Sequence, residues 1–193
     1  MTPSGGTGCN VGTIFKIRED GTGYTTIYNF GDCDVDLNGS NPQGSLLFDG
    51  TFLYGMTTSG GNFNEGVIFK ILPDGTAFDV IYEFVASSAA SGSNPEGSLI
   101  TDGTYLYGMT RFGDNTYTVF KILKDGTNFQ IIHSEADSLY EAFGDLFYDG
   151  TFLYGMTFNG GTNNLGNLFR VNPDGTGFSN LFDFDGTNGL SPQ

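Results

Sequence analysis

The sequence predicts an all-β fold, an array of four-stranded antiparallel blades, about four of them with the last one incomplete. Three observations carry that prediction. The stretch Leu-Tyr-Gly-Met-Thr occurs at 53–57, 106–110 and 153–157, with Met1-Thr2 as a remnant, so all four methionines occupy one repeated position. The aligned residues Phe15, Phe69, Phe120 and Phe169 recur at intervals of 54, 51 and 49 residues. The 193 residues include 19 Phe, 10 Tyr and 31 Gly but no Trp, a composition that favours pleated, turn-rich structure.

Each unit opens with a hairpin. Gly12-Thr-Ile-Phe-Lys-Ile17 runs into Asp20-Gly21-Thr22 and returns as Tyr24 to Phe30, with Asp-Gly supplying the positive-φ residue the turn needs. Counterparts begin at Gly66, Tyr117 and Gly166, and Pro73 and Pro173 precede two of the turns, where a fixed φ suits the first central position. A second hairpin follows, Gly44 to Tyr54, Gly97 to Tyr107 and Gly144 to Tyr154, again turning at Asp-Gly. Four short strands per unit of about 50 residues mark a β-propeller-like blade. A lone blade has two apolar faces, so blades must stack to bury them. Gly55, Gly108 and Gly155 are expected to allow close backbone approach near the axis, and the methionine that follows each is expected in the core.

The chain reads as one repeat domain, 1–193, with units at roughly 1–55, 56–108, 109–155 and 156–193. Leu190-Ser191-Pro192-Gln193 matches Ser40-Asn41-Pro42-Gln43, so the last unit is expected to lack its second hairpin. Two readings follow: the stretch is a fragment of a longer array, which is the leading one, or another copy completes the incomplete last blade by self-association, because unpaired strand edges invite pairing. The third unit is irregular: Arg111 to Thr116 lacks the double glycine, and Ser138 to Ala142 lacks Asn-Pro.

Phe15-Lys16-Ile17, Asp20-Gly21-Thr22, Pro42-Gln43-Gly44-Ser45-Leu46 and Leu53-Tyr54-Gly55 together resemble the bacterial tandem repeats called GloVer, found in choice-of-anchor surface proteins. The resemblance covers essentially the whole chain. It implies an exported, surface-attached protein with propeller-like repeats, and it carries over no catalytic residue.

Seven Lys plus Arg against 22 Asp plus Glu give a net charge of −15, which argues against nucleic acid and anionic membrane surfaces. Lys16, Lys70, Lys121 and Arg170 share one repeated position and read as strand side chains rather than a basic patch. No apolar run reaches the roughly 20 residues of a membrane span, so direct membrane insertion is not expected, and the first residues lack the features of a secretion signal. Signal and anchor are therefore expected outside this stretch.

Eight Asp-Gly-Thr triplets are explained by turn chemistry, only Asp185-Gly186-Thr187 falling in a polar loop. Asp32, Asp34, Asp36 and Asn38, followed by Gly39, resemble the first half of a Ca²⁺ loop. The twelfth position counted from Asp34 is Ser45 rather than Glu, so an EF-hand is absent; a short Ca²⁺ loop and a solvated acidic loop are the two readings. Cys9 and Cys33 each lie 12 residues from Gly21, which faces them across the first hairpin and predicts a disulfide suited to an oxidising compartment. His133 aligns with Tyr28, Tyr82 and Phe182 and is expected at an aromatic strand position; a metal cluster with Glu135 and Asp137 is the other reading.

No residue set reads as catalytic. The leading expectation is a non-enzymatic extracellular or cell-surface protein acting in adhesion, matrix formation or self-assembly. A lectin-like propeller binding glycans through Tyr and Phe beside Asp and Asn is the first alternative. A polysaccharide-acting enzyme, with its pocket at the irregular third unit, is the second.

Overall fold

The computed structural model describes residues 1–31, 37–85, 91–112, 117–134 and 142–192. Among them are fourteen strands and no helix. Strands β1 (Thr13–Lys16) and β2 (Thr25–Asn29) pair antiparallel, with Thr2 bridged to Thr13 beside them. A four-stranded meander follows: β3 (Ser40–Phe48), β4 (Leu53–Ser59), β5 (Val67–Ile71) and β6 (Asp79–Glu83). Strands β7 (Ser93–Thr101), β8 (Tyr105–Phe112), β9 (Thr118–Leu123) and β10 (Gln130–Ser134) repeat it. So do β11 (Phe147–Tyr148), β12 (Leu153–Thr157), β13 (Asn167–Val171) and β14 (Ser179–Asp183).

The sheets are out of phase with the sequence units, because each sheet joins the second hairpin of one unit to the first hairpin of the next. One expectation is thereby corrected. The short sheet is the first in the chain, and the sheet that ends at β14 has its four strands. The physical reason lies in Ser191 and Pro192, which take the place of Asn41-Pro42 and Asn94-Pro95 beside the preceding sheet instead of pairing within the last one. Ser191 N–H donates to Leu165 C=O at 2.8 Å, as Asn41 donates to Val11 and Asn94 to Glu65 at the earlier sheets.

The repeated Leu-Tyr-Gly-Met-Thr strand is second in its sheet. Its glycine pairs with the repeated phenylalanine of the next strand: Gly55 with Phe69, Gly108 with Phe120 and Gly155 with Phe169. These three rings are fully buried. A Cβ on Gly55 would stand 2.5 Å from Phe69 Cζ, and one on Gly108 2.6 Å from Phe120 Cζ. The glycines thus make room for a ring within their own sheet, where close approach of a second backbone was expected. Met56 and Met109 are buried as expected, whereas Met156 is half-buried.

Neighbouring sheets meet through one recurrent aromatic joint. Tyr28 stacks on Phe78 at 4.0 Å, Tyr82 on Phe129 at 4.2 Å and His133 on Phe178 at 3.7 Å, with interplanar angles below 8°. Burying such pairs removes apolar area from water and adds the specific attraction of offset rings. Beside them, Phe30 meets Phe69 and Phe84 meets Phe120 edge-on. In the third joint the ring that approaches Phe169 is Tyr117, at 5.8 Å, and Tyr117 stands where the other units carry Gly12, Gly66 and Gly166. Gly75, Gly126 and Gly175, at positive φ, lie against the carbonyls of Ile27, Ile81 and Ile132 on the preceding sheet. The Asp-Gly turn therefore also sets how closely the sheets dock.

Two residues beyond each of these glycines, and beyond Gly21 in the first hairpin, the chain again takes a positive φ, at Ala77, Asn128, Gly177 and Gly23. Only Ala77 is a residue poorly suited to it, since the left-handed region costs an L-residue with a Cβ roughly 1–2 kcal/mol. Ala77→Gly is expected to raise stability by about 0.5–1 kcal/mol after the added unfolded-state entropy. A rightward shift of the urea midpoint at unchanged slope is the readout; a leftward shift would show that the Ala77 methyl contributes more than its backbone strain costs.

Candidate functional site at the inner strands

The first strands of successive sheets converge. Ser45 N–H donates to Ser98 Oγ at 2.8 Å, and Ser98 N–H donates to Asp145 Oδ1 at 2.6 Å. Gly44, Gly97 and Gly144 bring the backbones together: a Cβ on Gly44 would overlap the Gly97 carbonyl, and one on Gly97 would lie 2.5 Å from the Gly144 carbonyl. The segment Pro-x-Gly-Ser-Leu thus builds the centre of the array, and its variable position points into a cavity of about 360 Å³ lined by Gln43, Glu96, Phe143, Asp145, Met156 and these glycines.

Around this cavity the irregular third unit supplies most of the chemistry. Arg111 lies on the rim with its guanidinium 3.8 Å from Glu96 Oε1 and over the rings of Phe112 and Phe143, at 4.8 and 4.6 Å. Phe143 is packed edge-on against Phe158 at 5.1 Å. The site therefore combines an aromatic face, carboxylate and amide acceptors and one cation, a set that can hold a polar ligand by stacking and hydrogen bonding.

Other carboxylates are committed to structure. Asp20, Asp74, Asp125 and Asp174 each accept from the backbone N–H and hydroxyl of the turn threonine, at 2.9 and 2.7 Å. Those bonds hold the four carboxyls below the usual carboxylate range. The second-hairpin aspartates also accept turn N–H bonds but take a tyrosine hydroxyl in place of the threonine's: Tyr107 donates to Asp102 at 2.8 Å and Tyr154 to Asp149 at 2.9 Å. Burial first, then the Asp49 charge and hydrogen bond, push the Tyr54 hydroxyl up to about 12.

The repeated basic position is likewise engaged. Lys70 pairs with Asp79 at 3.3 Å, Lys121 donates to Pro173 C=O at 3.0 Å, and Arg170 lies over Phe152 at 4.6 Å.

Of the residues proposed from sequence for Ca²⁺, Asp32, Asp34 and Asp36 lie outside the described residues, as do Cys33, Glu135 and Asp137. Asn38 is exposed and interacts with the Tyr28 hydroxyl, in the place where Ser91 bonds Tyr82 at 3.1 Å. Cys9 is half-buried in the N-terminal loop, and no cysteine among the described residues is free. Among the described residues no group of three or more His, Cys, Asp or Glu could hold a metal ion. His133 sits in the aromatic joint as expected. Sequence reasoning missed Gln43, Glu96 and Phe143; their signal is one variable position inside an otherwise repeated motif.

Four-stranded sheets meeting at their first strands and stacked face to face define a β-propeller-type repeat protein. The chain belongs to the Gloeobacter/Verrucomicrobia repeat family, whose model matches residues 1–138. No curated protein matches it. Among solved structures it is similar to the nidogen/laminin complex (19% identity, TM-score 0.57, covering 89% of this chain and 57% of that one). It is also similar to a TolB-type protein of Agrobacterium tumefaciens (13%, 0.61, 96% and 61%) and to the tricorn protease (17%, 0.55, 91% and 15%). At these identities the likeness is one of fold. The chain spans about three fifths of the length of the first two.

Proposed function

We propose that this chain is a non-enzymatic repeat module of an exported cell-surface or matrix protein, a rigid platform for adhesion and self-assembly. The observation that carries the reading is the exposure, at the two outermost sheets, of positions that the internal joints bury. Ile17 is 50% exposed where Ile71 and Ile122 are fully buried, and Phe182 is 43% exposed where Tyr28 and Tyr82 are half-buried. Apolar side chains left exposed on an outer sheet face are candidates for an interaction site. Sedimentation velocity of the purified chain from low micromolar to millimolar concentration is expected to show a mass rising above the monomer; a constant monomer mass would remove self-assembly. Export is supported by the sequence spacing of Cys9 and Cys33, each 12 residues from Gly21. Unfolded, unreduced protein is expected to yield no reactive thiol, and two thiols per chain would refute the pairing.

The inner cavity favours a second reading, a binding site for a neutral glycan. Phe143 offers a stacking face beside the Glu96, Gln43 and Asp145 acceptors, and the net charge of −15 disfavours anionic polymers. Binding on a glycan array that Phe143→Ala abolishes is the expected result; an array without signal ends this reading.

A further inference from the structure

The outermost faces are more than apolar: each is a preformed half of the internal joint. On the first sheet, Phe15 and Tyr24 stack at 5.3 Å and 29°. The equivalent pairs, all engaged by a preceding sheet, are Phe69–Phe78 at 5.5 Å and 22°, Phe120–Phe129 at 5.3 Å and 26°, and Phe169–Phe178 at 5.6 Å and 32°. On the last sheet, Phe182 and Phe184 are edge-on at 5.3 Å and 85°. Their engaged equivalents are Tyr28–Phe30 at 5.0 Å and 78° and Tyr82–Phe84 at 5.2 Å and 82°.

Accessibility agrees with geometry. Tyr24 is 59% exposed and Leu181 42%. Gly21 has nothing within 4 Å of its Cβ position, whereas Gly75, Gly126 and Gly175 each lie against a carbonyl of the preceding sheet. The equivalent carbonyl at the tail is that of Leu181. Ring for ring and turn for turn, the first sheet is what the last sheet would accept.

We propose that the Phe15–Tyr24 face of one copy of this chain seats on the Phe182–Phe184 face of a second copy, so that the internal blade joint recurs between molecules. In that joint Phe182 stacks on Tyr24 of the next copy, Phe184 meets its Phe15 edge-on, and its Gly21 turn lies against the Leu181 carbonyl. The contact is heterologous, so each copy keeps one free face and the assembly can grow or close into a ring. It rests on the self-assembly reading above.

The test uses Tyr24→Ser and Phe182→Ser, both at exposed positions, with unchanged far-UV circular dichroism and melting as the check on folding. Sedimentation of each variant alone is expected to show association weakened at least tenfold relative to the unaltered chain. A mixture of the two is expected to form a one-to-one dimer and stop there, since Phe182→Ser keeps an intact head and Tyr24→Ser an intact tail. A mixture that stays monomeric overturns the proposal, as does assembly of Tyr24→Ser alone, which would mean a tail-to-tail contact. If both variants assemble like the unaltered chain, self-assembly stands and this joint falls. If the unaltered chain never associates, both fall.

Discussion

Replacing Gly97 with alanine will lower the melting temperature by on the order of 10 °C, from a loss of about 2–5 kcal/mol. Two costs combine there. Gly97 has a φ of +80°, where a Cβ costs roughly 1–2 kcal/mol. That Cβ would also stand 2.5 Å from the Gly144 carbonyl oxygen and 2.9 Å from Asp145 Oδ1. The obstacle is the backbone of the next sheet and a carboxylate held by the Ser98 N–H, so neither yields without opening the joint; overpacking of this kind typically costs about 1–3 kcal/mol. Gly103→Ala separates the two terms, because Gly103 has a φ of +99° with nothing within 4 Å of its Cβ position. It should lose only the backbone share. Equal losses in the two variants would show that the inner strands are not packed as tightly as the contacts indicate.

The difference between these glycines was not legible in the sequence. Both lie beside strand residues of the second hairpin, and composition cannot say what a Cβ would meet. Strands and turns were legible because Asp-Gly-Thr and the alternating apolar residues act locally. His133 was legible too, since its alignment with Tyr28 and Tyr82 fixed its seat in the joint. The phase of the sheets was hidden because both Asp-Gly hairpins lie within a sheet, and nothing local says which of the two segments linking successive hairpins crosses to the next sheet. Irregularity in the third unit was visible, but its use was not. Tyr117 restores the ring that meets Phe169, while Arg111 on β8 and Phe143 ahead of β11 are distant in sequence and come together only in the fold.

Gly108→Ala tests the central packing rule of each sheet and will run against intrinsic preference. Alanine in a strand interior is ordinarily better than glycine by roughly 0.5–1 kcal/mol. Gly108 has no positive φ to protect, so backbone strain adds nothing. The new Cβ would instead stand 2.6 Å from Phe120 Cζ and 3.2 Å from Leu99 Cδ2. Phe120 is fully buried and held by Phe84 at 5.5 Å and Phe129 at 5.3 Å, so the ring has nowhere to move. The expected loss is about 1–3 kcal/mol. Phe120→Leu alone, which leaves a partial cavity, is expected to lose about 1–2 kcal/mol. Together the two should lose at least about 1 kcal/mol less than their sum, because the shorter side chain vacates the space the methyl needs. Additive losses in urea unfolding would mean that the ring does not lie over the glycine, and the reason for a glycine in every Leu-Tyr-Gly-Met-Thr strand would have to be sought elsewhere.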